Sequence, residues 1–179
     1  MSAVCLRAVR ACGLDLSARS PGVGEERSSR GLALEDFELW RPRVVRWLLI
    51  AASILALYWI AWFADRAVVA SAHSAQYISF EQSFPVADAW LAGAALMAAV
   101  TLHRRLPSAL IWLTAVGGAA LYLGALDILY DLQHGIYAKG SGGAIELGIN
   151  LITVMSGIGV MRFAWRFRHQ LLETPVNDR

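Results

Sequence analysis

Residues Trp47–Ala64 read WLLIAASILALYWIAWFA, eighteen residues without a charge. At about 1.5 Å of rise per residue this stretch is roughly 27 Å long as a helix, close to the thickness of a bilayer's hydrocarbon core. It stops at Asp65-Arg66, and Tyr58, Trp59 and Trp62 gather near its far end, as a belt of interfacial aromatics does. A segment of this kind predicts a membrane-spanning helix.

Three more runs share its character. They cover residues 86–102, 109–129 and 144–165, closed or opened by His103-Arg104-Arg105, Pro107-Ser108, and Arg162, Arg166 and Arg168. Four apolar runs near twenty residues, in a chain of 179 residues that is 57% hydrophobic, exclude an ordinary soluble domain. Short connections between neighbouring runs make an up-down-up-down bundle the simplest topology. The expected fold is therefore all-α, a four-helix transmembrane domain over residues 47–165.

The flanks are polar. Residues 1–33 carry Gly, Ser, Arg and Glu without a period and read as a disordered cytoplasmic tail. Residues 34–46, LEDFELWRPRVVR, read as an interfacial segment broken at Pro42. The loop 65–85 holds apolar residues at Val68, Val69, Tyr77, Ile78 and Phe80, which suggests a short amphipathic helix. Gly135 and Gly140-Ser141-Gly142-Gly143 read as a flexible connection, and residues 166–179 as a cytoplasmic tail. The two cysteines, Cys5 and Cys12, both lie in the N-terminal tail, and no CxxC is present. The thiol redox chemistry of four-helix quinone reductases is thereby excluded.

Charge is distributed unevenly. The side holding both termini collects Arg41, Arg43, Arg46, Arg104, Arg105, Arg162, Arg166 and Arg168, while the other has Arg66 and Lys139. The positive-inside rule then places both termini in the cytoplasm of an inner or plasma membrane. The opposite end collects Asp65, Glu81, Asp88, Asp127, Asp131 and Glu146, with His73 and His134.

Within ALDILYDLQHGIY (125–137), Asp127, Asp131 and His134 fall at spacings of four and three, on one side of a helix. Gly117, Ala120 and Gly124 precede them on the same stripe, so the acids are expected to face a neighbouring helix and not lipid. In the last run, Glu146, Asn150, Thr153 and Gly157 form a matching polar-to-small stripe. Asp127 and Asp131 sit near a helix C-terminus, where the dipole opposes negative charge, and they repel each other at i, i+4.

Three readings compensate that charge. The first is a ligand pocket of Asp88, Asp127, Asp131, His134, Glu146 and Asn150 for a cation or a cationic or lipid-like molecule, walled by Trp90, Tyr122, Tyr130 and Tyr137. In the second, Asp127, Asp131 and His134 ligate a divalent metal, which would also suit a metal-dependent membrane enzyme. No nucleophile stands out for such an enzyme: Ser71, Ser74, Ser79, Ser83 and Ser141 have no recognisable context. In the third the polar residues are interhelical glue in a structural or assembly subunit of a larger complex. The expected partners are the lipid bilayer and either a second copy or a membrane partner protein; nucleic acid is not among them.

With FPVADAW opening the second run and LYDLQHGIY closing the third, residues 40–170 resemble small uncharacterised four-span bacterial integral membrane proteins. That resemblance implies the four-span fold and no activity. The DxxxD of Asp127 and Asp131 matches only the final fragment of the CDP-alcohol phosphotransferase motif; the Asp-Gly and Ala-Arg portions are missing, so that activity is not implied.

Overall fold

The computed structural model describes residues 23–65, 75–138 and 140–173, with side chains from residue 31 onward. Most of the N-terminal tail (with Cys5 and Cys12), the loop residues Arg66 and His73, Lys139, and residues 174–179 lie outside the described residues. Two compact units, Met1–Asp36 and Phe37–Arg179, divide the chain, and the bundle belongs to the second.

The fold is an all-α up-down-up-down bundle. Its elements are α1 (Val23–Ala64), the short α2 (Ala75–Glu81), α3 (Pro85–His103), α4 (Ala109–His134), a 3-10 turn (Ile136–Ala138), α5 (Gly140–Arg166) and α6 (Arg168–Leu172). Four helical stretches are long and apolar enough to cross a membrane: Gly31–Ala64, Ala75–His103, Ala109–His134 and Gly140–Arg166. Large apolar side chains face outward along them. On α1, Ile54, Leu57, Ile60 and Phe63 are each more than 60% exposed. In water such a stripe would be a liability; in lipid it is the required surface.

The opposite stripe of α1 packs inward. Leu48, Ala52, Trp59 and Trp62 are buried, at the spacings a helix needs to keep one face on its neighbours. Two apolar clusters result. One surrounds Phe37, Leu48, Leu102, Leu113, Phe163 and Phe167 at the Arg-rich end. The other joins Trp59, Trp62, Tyr77, Phe84, Leu123 and Ile136 at the acidic end.

Helix α4 packs against both α3 and α5. Its contact with α5 runs along the two stripes identified in the sequence. A side chain on Gly117 would meet Met161 and approach the Gly157 carbonyl oxygen at 3.1 Å; one on Gly157 would meet the Gly117 carbonyl at the same distance. Apolar burial drives little association inside lipid, so close backbone approach carries this interface.

The connections have local causes. Pro85 occupies the first turn of α3, where its missing N–H removes no helical bond. Arg105, at φ 55°, closes α3: its N–H bonds Leu102 O at 3.2 Å and that of Leu106 bonds Thr101 O at 2.9 Å. Those are the two bonds of a Schellman motif, and Pro107 prevents the helix from resuming. Gly135, at φ 60°, caps α4 and bonds back to Asp131 O, which extends the helix to His134, past the expected end at 129.

Two expectations are corrected. Helix α1 begins at Val23 and runs through Pro42 without a break, so residues 23–46 are helical. The proline removes one backbone bond, and side chains brace the turn. Glu38 accepts from Arg41 Nη2 at 3.0 Å and from Arg105 Nη2 at 2.9 Å, and Arg46 Nε reaches Pro42 O at 3.3 Å. Likewise Gly140–Gly143 is no loose connection but the first turn of α5. A side chain on Gly143 would strike the Ile136 carbonyl oxygen and lie 2.8 Å from Tyr137 C, so glycine lets the 3-10 turn fold onto the helix. The expected amphipathic segment in the loop is α2, whose Tyr77 is buried.

Candidate functional site

At the acidic end, four segments each deliver a carboxylate. Glu81 ends α2, Asp88 lies in the first turn of α3, Asp127 and Asp131 sit on the last two turns of α4, and Glu146 is on the second turn of α5. Asp127 lies within electrostatic range of all the others: Glu81, Asp88, Asp131 and Glu146. Among the described residues none of the five forms an ion pair; the two ion pairs there involve Glu38 at the far end of the bundle.

Neutral donors meet four of the five. Tyr58 donates its hydroxyl to Glu81 at 3.2 Å, Trp59 its indole N–H to Asp88 at 2.9 Å, and Tyr77 its hydroxyl to Glu146 at 2.9 Å. Asn150, 3% exposed, donates Nδ2 to Asp131 Oδ2 and to the Tyr137 hydroxyl, both at 2.9 Å. The amide thus uses both its hydrogens to bind α4 and the 3-10 turn to α5. Asp127 has no hydrogen-bond donor among the described residues. Burial, with the carboxylates of Asp131 and Asp127 nearby, holds the Tyr137 phenol above its ordinary range.

His134 stands at the margin of this group. Its ring stacks on Tyr130 at 4.0 Å, and Tyr130 stacks on Phe80 at 3.6 Å. Nδ1 lies 2.8 Å from Tyr130 O and Nε2 lies 3.1 Å from the Gln76 amide nitrogen. A carbonyl requires a donor, so Nδ1 carries the proton and Nε2 accepts from Gln76. Both ring nitrogens are therefore engaged. Among the described residues no three His, Cys, Asp or Glu side chains are placed to share a metal ion.

Of the residues singled out in the sequence, Asp88, Asp127, Asp131, Glu146 and Asn150 come together, with His134 beside them. Of the four aromatic walls, Tyr130 and Tyr137 take part. Trp90 and Tyr122 point outward, 57% and 66% exposed, and Trp90 pairs with Trp112. Tyr58, Trp59, Tyr77 and Glu81 are the residues the sequence did not assign. Buried among these aromatics, Trp62 has an indole N–H without a partner among the described residues. Its ring lies 5.8 Å from Trp59 and 6.1 Å from Tyr58, the donors to Asp88 and Glu81.

The fold and this site define a four-span integral membrane protein with a carboxylate-lined end. No protein-family model, no curated protein and no solved structure matches the chain.

Proposed function

We propose that this protein binds a cation, or a ligand with a cationic group, among Asp88, Asp127, Asp131 and Glu146 at the extracytoplasmic end of the bundle. The observation that carries the reading is the cluster of five carboxylates, four of them met by Tyr, Trp and Asn donors and none paired with Arg or Lys among the described residues. Hydrogen bonds from Tyr, Trp and Asn orient a carboxylate but leave its charge in place, and like charges this close destabilise the empty site. A bound cation offsets that repulsion. The aromatic rings of Tyr58, Trp59, Tyr77 and Tyr130 add faces suited to an amine or quaternary ammonium. The orientation rests on the basic residues: eight arginines flank the end opposite the acids, against Arg66 and Lys139 beside them, and that asymmetry favours a cytoplasmic Arg-rich end with both termini. Reporter fusions at each terminus check it; a C-terminal alkaline phosphatase that is active outside the cytoplasm refutes it.

Thermal unfolding of the purified protein with choline, spermidine, Ca²⁺ or Mg²⁺ tests the site. A ligand at about a hundred times its dissociation constant stabilises by about 2.7 kcal/mol. Asp127→Asn is expected to abolish that response while stabilising the ligand-free protein by about 0.5–1 kcal/mol, since a repulsive charge is removed. An unchanged melting temperature in every cation, with a co-purifying membrane protein instead, would leave the acids as assembly contacts.

A further inference from the structure

We propose that the seam between α1 and α5 at the Arg-rich end binds an anionic phospholipid, its phosphate at Arg43 and Arg162 and an acyl chain along the apolar seam. Three observations support it. First, a cavity of about 1130 Å³ opens there among α1, α4 and α5, lined by apolar side chains such as Trp47, Leu110, Ile152 and Met155. A second apolar cavity of about 280 Å³ shares Trp47, Ile152, Ser156 and Val160 with it and continues the seam along α1 into the bundle.

Second, two cations at its mouth, Arg43 and Arg162, have no carboxylate partner among the described residues. Among the described residues the arginines in ion pairs are Arg41 and Arg105, both on Glu38. Arg43 and Arg162 line the cavity and form none. Arg43 lies 5.2 Å over the Trp40 ring and Arg166 5.2 Å over the Phe167 ring, so aromatic faces hold these guanidiniums beside the opening. Third, Trp40, Trp47 and Trp165 line the same opening, and tryptophans on spanning helices favour the level where headgroup meets hydrocarbon. Charge and shape together fit one occupant, a phosphodiester with an attached hydrocarbon chain. Basic pockets between spanning helices take such headgroups.

Gly159 offers a way to fill the seam without disturbing the bundle. It lines the cavity, and an added Cβ there has nothing within 4 Å. Leucine is also a better helix former than glycine. The test is native mass spectrometry of the delipidated full chain, titrated with dioleoylphosphatidylglycerol or dioleoylphosphatidylcholine. Wild type should prefer the anionic lipid roughly tenfold, and Arg43→Gln/Arg162→Gln should erase the preference. Gly159→Leu should weaken binding of both lipids roughly tenfold while every arginine is kept. Equal binding of the two lipids by wild type overturns the proposal. Gly159→Leu that leaves phosphatidylglycerol binding unchanged also overturns it, because the arginines would then act as a charged surface without a seam. A lipid-free dimer that Gly159→Leu dissociates overturns it in favour of a second copy of this chain.

Discussion

Replacing Asn150 by leucine tests the polar junction at the acidic end. Asn150 is 3% exposed and Asp131 4%, so neither can recover a lost partner from bulk water. The amide donates to Asp131 Oδ2 and to the Tyr137 hydroxyl at 2.9 Å each. A hydrogen bond to a charged group contributes about 1.5–3 kcal/mol in soluble proteins. Interhelical hydrogen bonds in membrane proteins average about 0.6 and reach about 1.7 kcal/mol, because the unfolded chain in lipid also finds partners. Asn150→Leu removes two such bonds and strands a buried carboxylate, so a loss of about 2 kcal/mol is expected, roughly thirtyfold in the unfolding equilibrium. SDS-driven unfolding in mixed micelles, followed by tryptophan fluorescence, measures it. The companion Asp131→Leu/Asn150→Leu removes donor and acceptor together and should cost at least about 1 kcal/mol less than the sum of the single changes. A loss below about 0.5 kcal/mol for Asn150→Leu, or strict additivity in the cycle, would refute the idea that this bond joins α4 to α5.

Two further outcomes follow from the same end of the bundle. Gly143→Ala should destabilise by about 1–3 kcal/mol because its methyl meets the backbone of Ile136 and Tyr137, whereas Gly148→Ala, with nothing within 4 Å, should stabilise by about 0.5–1 kcal/mol in the same unfolding assay. For Tyr137 the native phenol titrates above its unfolded value, so its contribution is intact below about pH 10 and is lost as pH rises from there through the native value. Tyr137→Phe should therefore shrink the loss of stability between pH 9 and 11, measured by unfolding at fixed pH against wild type.

Helical period made the α4–α5 contact legible. Gly117, Ala120, Gly124 and Asp131 recur on one face, Asn150 and Gly157 on the facing one, and all six are buried. Period says which residues share a face, and in lipid a face of small and polar residues has one place to go. It does not say which donor meets which acid. Tyr58 and Trp59 fall at the end of an apolar run, where aromatics usually anchor to the interface, so nothing in their spacing pairs them with Glu81 and Asp88. Tyr77 lies in a loop whose short helix fixes its direction only by packing. The glycines at 140–143 carry the opposite lesson. A glycine run reads as a linker, yet Gly143 is where two backbones meet, and the segment from Gly140 onward is helical.

The two ends of the bundle can be compared by what each lacks. At the Arg-rich end Glu38 has two arginines, while Arg43 and Arg162 have no carboxylate among the described residues. At the acidic end four of the five carboxylates have Tyr, Trp or Asn donors, and none has an arginine or lysine among those residues. Had stability alone been at stake, ion pairs within each end would have been the simpler arrangement, since a neutral donor leaves the charge uncompensated. Among the described residues, each end of the bundle therefore carries charge of one sign that no side chain there offsets. The counter-charge proposed here comes from outside the chain: phosphate at one end and a cation at the other. Charge reversal separates the two. Arg162→Glu should change lipid preference and leave the response to cations unaltered, and Asp127→Asn should do the reverse; coupled changes in both would mean that the two ends act as one site.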